Sequence, residues 1–357
     1  MLKEIGSNFW LTPIKKEKTR INTSIFNTDF DDIVLMSSGR NAISQVLQDI
    51  TINKMIALLP SFTCESVIEP FIKFGFKVYF YQIDKTATID CDSFKESCLK
   101  WQPSVVLIHS YYGFDTSSSI KEFLDEIKKQ GTVIIEDITQ TLYSNFLRLP
   151  SDYIIGSFRK WAGIPDGGFA LKRIGSFITH PNKNDEATTR AKIDAMQCKY
   201  DYMVLNKGDK ETFLKKYADA EELLEEQNDL YKMSMLSILE QANLDIPFLK
   251  ANRRNNFDCL LKKINNPNIT PLFNNLPTNV TPLYFPVFCS KKRTTFQKFL
   301  RDNNIYAPIV WPQSKYVSNA SKDVVFLYEN LLCIPCDQRY TIEEMEYVSR
   351  IINEWRP

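Results

Sequence analysis

Surplus charge of either sign is missing from this 357-residue chain, in which 44 Lys and Arg stand against 43 Asp and Glu for a net charge of +1. A nucleic-acid binder draws affinity from clustered basic charge, so nucleic acid is not an expected partner, and no acidic tail is present either. Long apolar runs are missing too. No window approaches the ~18 uncharged apolar residues that a membrane helix requires, so no membrane partner is expected. The start, Met1-Leu2-Lys3-Glu4-Ile5-Gly6-Ser7, lacks the apolar stretch of a secretory leader. The eight cysteines (64, 91, 98, 198, 259, 289, 333, 336) show no disulfide framework and read as reduced core thiols, which points to the cytoplasm. Cys333 and Cys336 have metal-type spacing, but no second Cys/His pair lies near, so no metal is expected. Internal repeats and low-complexity tracts are absent.

What the chain does have is core. Apolar residues at 44% and aromatics at 13% exclude disorder. The length suits one large domain with a smaller one. Residues 1–33 are polar and irregular and read as a surface segment. From there helix and strand patterns alternate: a helix from Arg40, strand Met55 to Leu59, helix Glu65 to Phe74, strand Lys77 to Gln82, strand Val105 to His109, helix Ser119 to Lys129, then strands at Val133, Tyr153 and Gly168 to Leu171. Such alternation predicts a mostly parallel sheet with helices on both faces, in an α/β domain over 34–245 that includes a long helical stretch at 186–242. A smaller α/β unit over 246–357 follows the proline-broken stretch at Pro267, Pro271, Pro277 and Pro282.

The residues that can do chemistry collect at strand ends, where ligands of such sheets bind. The run Val133-Ile134-Ile135-Glu136-Asp137-Ile138-Thr139-Gln140 closes on carboxylates, and Tyr153-Ile154-Ile155-Gly156 delivers Ser157 and then Lys160. An acid and a lysine so placed suit pyridoxal phosphate. The lysine forms a Schiff base, and the aspartate keeps the pyridine nitrogen protonated so that the ring acts as an electron sink. Ser157 and Lys160 are three apart, so in a helical turn both can face one ligand. Gly167-Gly168 lets backbone approach closely. Ser37-Ser38-Gly39-Arg40-Asn41-Ala42 offers free N–H groups at a helix start for phosphate. Plainer readings stand beside these: Ser38 and Asp137 as helix caps, and His109, at the end of its strand, as a satisfied core histidine. His180 sits in a polar loop with no assigned role.

Taken together, Ser38-Gly39-Arg40-Asn41-Ala42, Leu59-Pro60-Ser61-Phe62-Thr63, Glu136-Asp137-Ile138-Thr139-Gln140 and Gly156-Ser157-Phe158-Arg159-Lys160 with Asp166-Gly167-Gly168 resemble the DegT/DnrJ/EryC1/StrS family of pyridoxal-phosphate sugar aminotransferases. The match is clear over 35–172. The resemblance implies fold type I, with a mostly parallel seven-stranded sheet flanked by helices and a smaller C-terminal α/β domain. It implies Lys160 as the Schiff-base lysine and Asp137 on the pyridine nitrogen, the two catalytic residues. Gln140 would lie near the ring oxygen and Ser157 on phosphate, with Ser38, Gly39 and Arg40 at the phosphate; His109, which ends its strand at the same rim, and Cys64 are read with them as cofactor-binding residues. It implies glutamate and a nucleotide-linked ketosugar as substrates, in aminosugar or surface-polysaccharide synthesis, and a homodimer.

Three features depart from the family pattern. Cys64 stands where an aromatic commonly packs on the ring. The interval from Ser157 to Lys160 is shorter than usual. The Asn-Tyr-Arg segment that reaches into a partner's site is absent around 190–210. Lysine at 160 argues against the dehydratase offshoot, in which histidine replaces it. Two other readings remain open: a pyridoxal-phosphate enzyme acting on an amino acid or another small ketone, and a catalytically silent fold-type-I binding protein. Arg159 and Trp161 are expected at the entrance or a subunit interface, with Trp161 in the core as the plainer alternative.

Overall fold

The structure, a computed structural model, describes residues 3–13, 17–227, 229–289 and 292–357. In chain order the elements are β1 (Ile5–Gly6), β2 (Asp32–Met36), α1 (Gly39–Asp49), β3 (Ile56–Pro60), α2 (Glu65–Lys73), β4 (Lys77–Tyr81), α3 (Cys91–Trp101), β5 (Val105–His109), α4 (Lys121–Lys129), β6 (Val133–Asp137), β7 (Tyr153–Ser157) and β8 (Gly168–Lys172). Then follow α5 (Glu186–Met203), α6 (Lys210–Glu225), α7 (Met235–Ala242) and α8 (Ile246–Lys263). The C-terminal stretch adds β9 (Thr270–Pro271), β10 (Phe285–Phe288), α9 (Arg293–Asp302), β11 (Ile305–Tyr306), α10 (Lys322–Asn330), β12 (Leu331–Ile334) and α11 (Ile342–Glu354).

Seven strands form the main sheet in the order β2-β8-β7-β6-β5-β3-β4, and only β8 runs against the others. Val105, Val106, Leu107 and Ile108 are all fully buried, as a strand covered on both faces requires. The register sets His109 beside Asp137, and Asp137 beside Ile155, so β5, β6 and β7 deliver their carboxyl ends to one rim. Helix starts follow local capping chemistry: Ser38, Asp90, Asp185 and Asp209 each accept a backbone N–H from the first turn of α1, α3, α5 and α6.

The helical stretch 186–242 is divided into α5, α6 and α7, and Asn206 (φ 55°) and Gly208 (φ 74°) turn the chain through left-handed backbone between α5 and α6. One expectation about the chain's course needs correcting: the N-terminal segment is not confined to the surface. β1 pairs in parallel with β11, Ile5 and Trp10 are buried, and the Gly6 N–H donates to the Tyr340 hydroxyl at 2.7 Å. Residues 5–10 thereby tie the start of the chain to the C-terminal stretch, whose sheet runs β12-β10-β9. Among the described residues no helix is long and apolar enough to cross a membrane, and no cluster of three or more His, Cys, Asp or Glu could hold a metal. All eight cysteines are free.

Candidate active site

At the rim of the sheet the start of α1 presses against β7 and β8. The Ser38 Oγ accepts the Asn41 N–H at 3.1 Å, whereas the Gly39 and Arg40 N–H groups have no partner among the described residues. A Cβ on Gly168 would collide with the Ser38 carbonyl, and a Cβ on Gly39 would stand 3.5 Å from that of Ser157. The missing Cβ at Gly168 is what lets the helix start reach the strand end, whereas at Gly39 a Cβ would make ordinary contact. Ser157 is buried and its hydroxyl donates to the Gly167 carbonyl at 3.2 Å. Arg40 pairs with Glu69 at 3.5 Å, and its Nε is buried without a partner.

Asp137 is buried at the end of β6, and one carboxylate oxygen accepts the Thr139 N–H at 2.8 Å. Burial raises its pKa, against the Thr139 hydrogen bonds and the Lys160 charge, which work the other way. Next to it His109 bonds the Thr63 hydroxyl through Nε2 at 3.2 Å, and its Nδ1 has no partner. Burial lowers the pKa of His109 to about 3, so the ring is neutral at any working pH. Gln140 Oε1 accepts the Tyr112 N–H at 2.7 Å, which holds Tyr112 in its left-handed turn (φ 57°). Cys64 is the N-cap of α2, with its sulfur 2.8 Å from the Ser66 hydroxyl. Aromatic groups near this rim come from several segments: the Tyr111 ring lies 4.7 Å and the Trp311 ring 5.5 Å from His109, and Trp311 lies 5.1 Å from Phe62.

Lys160 closes a 3₁₀ turn at Phe158–Lys160 and faces a cleft of about 230 Å³. Its amine is exposed and makes no hydrogen bond or ion pair with a described residue. Residues 6–9, Arg159, Lys192, Glu221 and Arg339 also line this cleft, whereas Ser38, Ser157, His109, Asp137 and Gln140 do not. Lys160 therefore stands between two neighbourhoods, and its charge acts on both Asp137 and Glu221. A roomier hollow of about 450 Å³ in the C-terminal stretch, between Leu272, Phe288, Phe326 and Trp355, holds no acid and lies away from this chemistry.

Sequence reading missed most of the cleft. Lys192 and Glu221 come from α5 and α6, and Arg339 from the turn after β12. It also missed the segment crossing the start of α1, where the Gln227 amide oxygen accepts from Asn41 at 3.2 Å and the Tyr231 N–H donates to the Asn41 side chain at 2.8 Å. Trp161 is a correction. It is fully buried rather than at an entrance, donating from Nε1 to the Thr139 carbonyl at 2.7 Å under the Arg253 guanidinium.

No protein-family model matches the sequence, and no curated protein matches it by sequence. Solved structures do match in shape. Helicobacter pylori PseC, an aminotransferase of pseudaminic acid biosynthesis, aligns with a TM-score of 0.69 at 13% identity over 98% of each chain. Spr1654 from Streptococcus pneumoniae, in its pyridoxal-phosphate form, gives 0.67 at 16% identity over 98% of this chain and 92% of that one. DesV of S. venezuelae, in complex with a ketimine intermediate, gives 0.68 at 15% over 97% and 90%. The chain has the fold of these enzymes, the pyridoxal-phosphate fold type I, with its mostly parallel seven-stranded sheet.

Proposed function

We propose that this chain is a pyridoxal-phosphate-dependent aminotransferase that moves an amino group from glutamate to a nucleotide-linked ketosugar, acting in the cytoplasm as a homodimer. The observation that carries the proposal is the placement of buried Asp137, at the end of β6, within electrostatic reach of Lys160, one turn beyond β7. The donors around them fit the cofactor. Two unbonded N–H groups at Gly39 and Arg40, with Ser38 and Ser157 beside them, suit a phosphate at a helix start. The close approach of the helix start to β8 exists because Gly168 carries no Cβ.

Each side chain has a defined task. Asp137 is a buried carboxyl without a cationic hydrogen-bond partner, and a protonated ring nitrogen is the charge that would compensate it. Neutral His109 beside it adds no competing charge. Lys160 anchors the cofactor and carries a proton to and from the substrate carbon. Bound there, pyridoxal phosphate supplies the electron sink for that proton transfer. Gln140 keeps the Tyr112 turn in place behind Asp137.

An enzyme acting on an amino acid or another small ketone is the second reading, and the modest size of the cleft, about 230 Å³, favours it. The two separate in one assay. Purified protein is incubated with glutamate, and a panel of nucleotide-linked ketosugars is compared with a panel of 2-oxo acids. Aminosugar formation supports the first reading. Turnover with 2-oxo acids alone supports the second, and no turnover by a protein that lacks cofactor absorbance sinks both.

A further inference from the structure

Lys192 is a lysine where a lysine is costly. It sits on α5 with 3% of its side chain exposed, and its amine pairs with a single carboxylate oxygen, Oε1 of Glu221. That oxygen is already shared, because the Arg159 guanidinium donates to it at 2.9 Å. With Lys160 beside them, three cations gather around the Glu221 carboxylate on one wall of the cleft. Burial, reinforced by the Arg159 charge, lowers the pKa of Lys192 to about 8 in spite of Glu221. On Glu221 burial pulls upward, but Arg159 and Lys192 outweigh it and bring the carboxyl down to about 2. The other acids near this wall are engaged: Asp337 pairs with Arg339, and Asp166 is held by Ser234 and Ser237.

The other two cations of the cleft are committed elsewhere. Arg253 spends its guanidinium on the carbonyls of Pro282, Leu283 and Trp161 and on the Gln338 side chain. Arg339 is held by Asp337 and by the carbonyls of Ser7 and Asn8. The donors left for a ligand are those of Arg159, Lys160 and Lys192. The volume sets a second limit. About 230 Å³ falls below the ~300–1,000 Å³ of pockets that enclose drug-sized ligands, so the part of a ligand enclosed on this wall is small, the size of a carboxylate-bearing chain.

We infer that Arg159 and Lys192, bridged by Glu221, form the subsite for a carboxylate of a dicarboxylic amino donor, held beside the Lys160 amine. This rests on the aminotransferase reading and names the residues that would select the donor. An arriving carboxylate gives Lys192 the second acceptor that it lacks, and Arg159 presents a planar fork suited to such a group.

The test is calorimetric titration of the purified protein, with whatever cofactor it carries, using 2-oxoglutarate as the dicarboxylate and inorganic pyrophosphate as the rival anion. Lys192→Met keeps the length of the buried stem, and Arg159→Gln alters a side chain that is less deeply buried. Each variant is expected to weaken 2-oxoglutarate by about tenfold or more, the scale of one hydrogen bond to a charged group. Lys192→Arg should retain most of the affinity, and cofactor absorbance should be the same in all four proteins. Equal 2-oxoglutarate binding by wild type and both weakening variants would overturn the inference. So would pyrophosphate binding that depends on these residues when 2-oxoglutarate binding does not. Absence of cofactor from the wild-type protein would count against the proposed function alone, because Lys192-dependent binding of 2-oxoglutarate is read directly.

Discussion

The rim of the sheet and the wall of the cleft meet at Lys160, yet they are built on opposite principles. On the rim, Asp137, His109, Ser157 and Gln140 are buried, each tied by hydrogen bonds to near backbone or to the adjoining strand, and only Asp137 among these four is an acid or base that could carry charge. On the wall, Arg159, Lys192, Glu221 and Arg339 are drawn from segments far apart in the chain and crowd charge around a partly open space. A preorganised, nearly uncharged rim suits a resident cofactor. A wall with a surplus of cations suits an anion that arrives and leaves. On the proposed function, the wall would set binding selectivity and the rim would hold the chemistry.

The largest effect should come where the two regions join. Lys160→Ala removes the only unpaired amine at that junction and is expected to lower turnover on the order of 10⁴-fold, with 2-oxoglutarate affinity changed far less; steady-state kinetics beside calorimetry reads both. If affinity collapses together with turnover, the rim and the wall are not separable. Asp137→Asn attacks the rim alone. It should leave cofactor bound while lowering turnover on the order of 10³-fold, as for the loss of a preorganised charge. Unchanged turnover would return Asp137 to a capping role on Thr139.

A milder break is Gly168→Ala. Its methyl group meets the Ser38 carbonyl, so the start of α1 must move. Overpacking of this kind costs about 1–3 kcal/mol. Thermal unfolding should show a lowered midpoint, and cofactor retention on dialysis should weaken while the Lys192-dependent anion binding persists.

The smallest effect is expected from pH. Lys192 faces Arg159 and Lys160 on the 3₁₀ turn and Glu221 and Tyr217 on α6, and its pKa is lowered to about 8. Its cationic form binds the carboxylate, so affinity for 2-oxoglutarate is full below that pKa and declines as pH rises through it. Because the bound anion raises the pKa in the complex, the decline is gradual, at most tenfold per pH unit. Lys192→Arg should flatten the profile between pH 7 and 9, and a wild-type profile already flat there would remove Lys192 from the subsite.

The two regions also differ in how far the sequence discloses them. The rim was legible because its information is local. A strand that ends His109 and one that ends Glu136-Asp137 can each be read from a run of apolar residues, and parallel pairing places their ends together. The glycine at 168 announces close approach before any partner is known. The wall was not legible. Lys192 and Glu221 look like ordinary charges on amphipathic helices, and nothing local says that α5 and α6 fold back so that one amine is buried against the other's carboxylate. Trp161 misled for the same reason: its cover, Arg253, lies in α8, and its hydrogen bond goes to Thr139. The left-handed backbone at Asn206 and Gly208 is the single local sign of the hairpin, and composition alone hides it.

The most direct test of the central claim is to locate the amine that holds the cofactor. Native protein loaded with pyridoxal phosphate is reduced with borohydride, digested and mapped by mass spectrometry. The account predicts a covalent pyridoxyl label on Lys160, with Lys192 unlabelled. A label on Lys192 or on any other lysine, or no label at all, would contradict it.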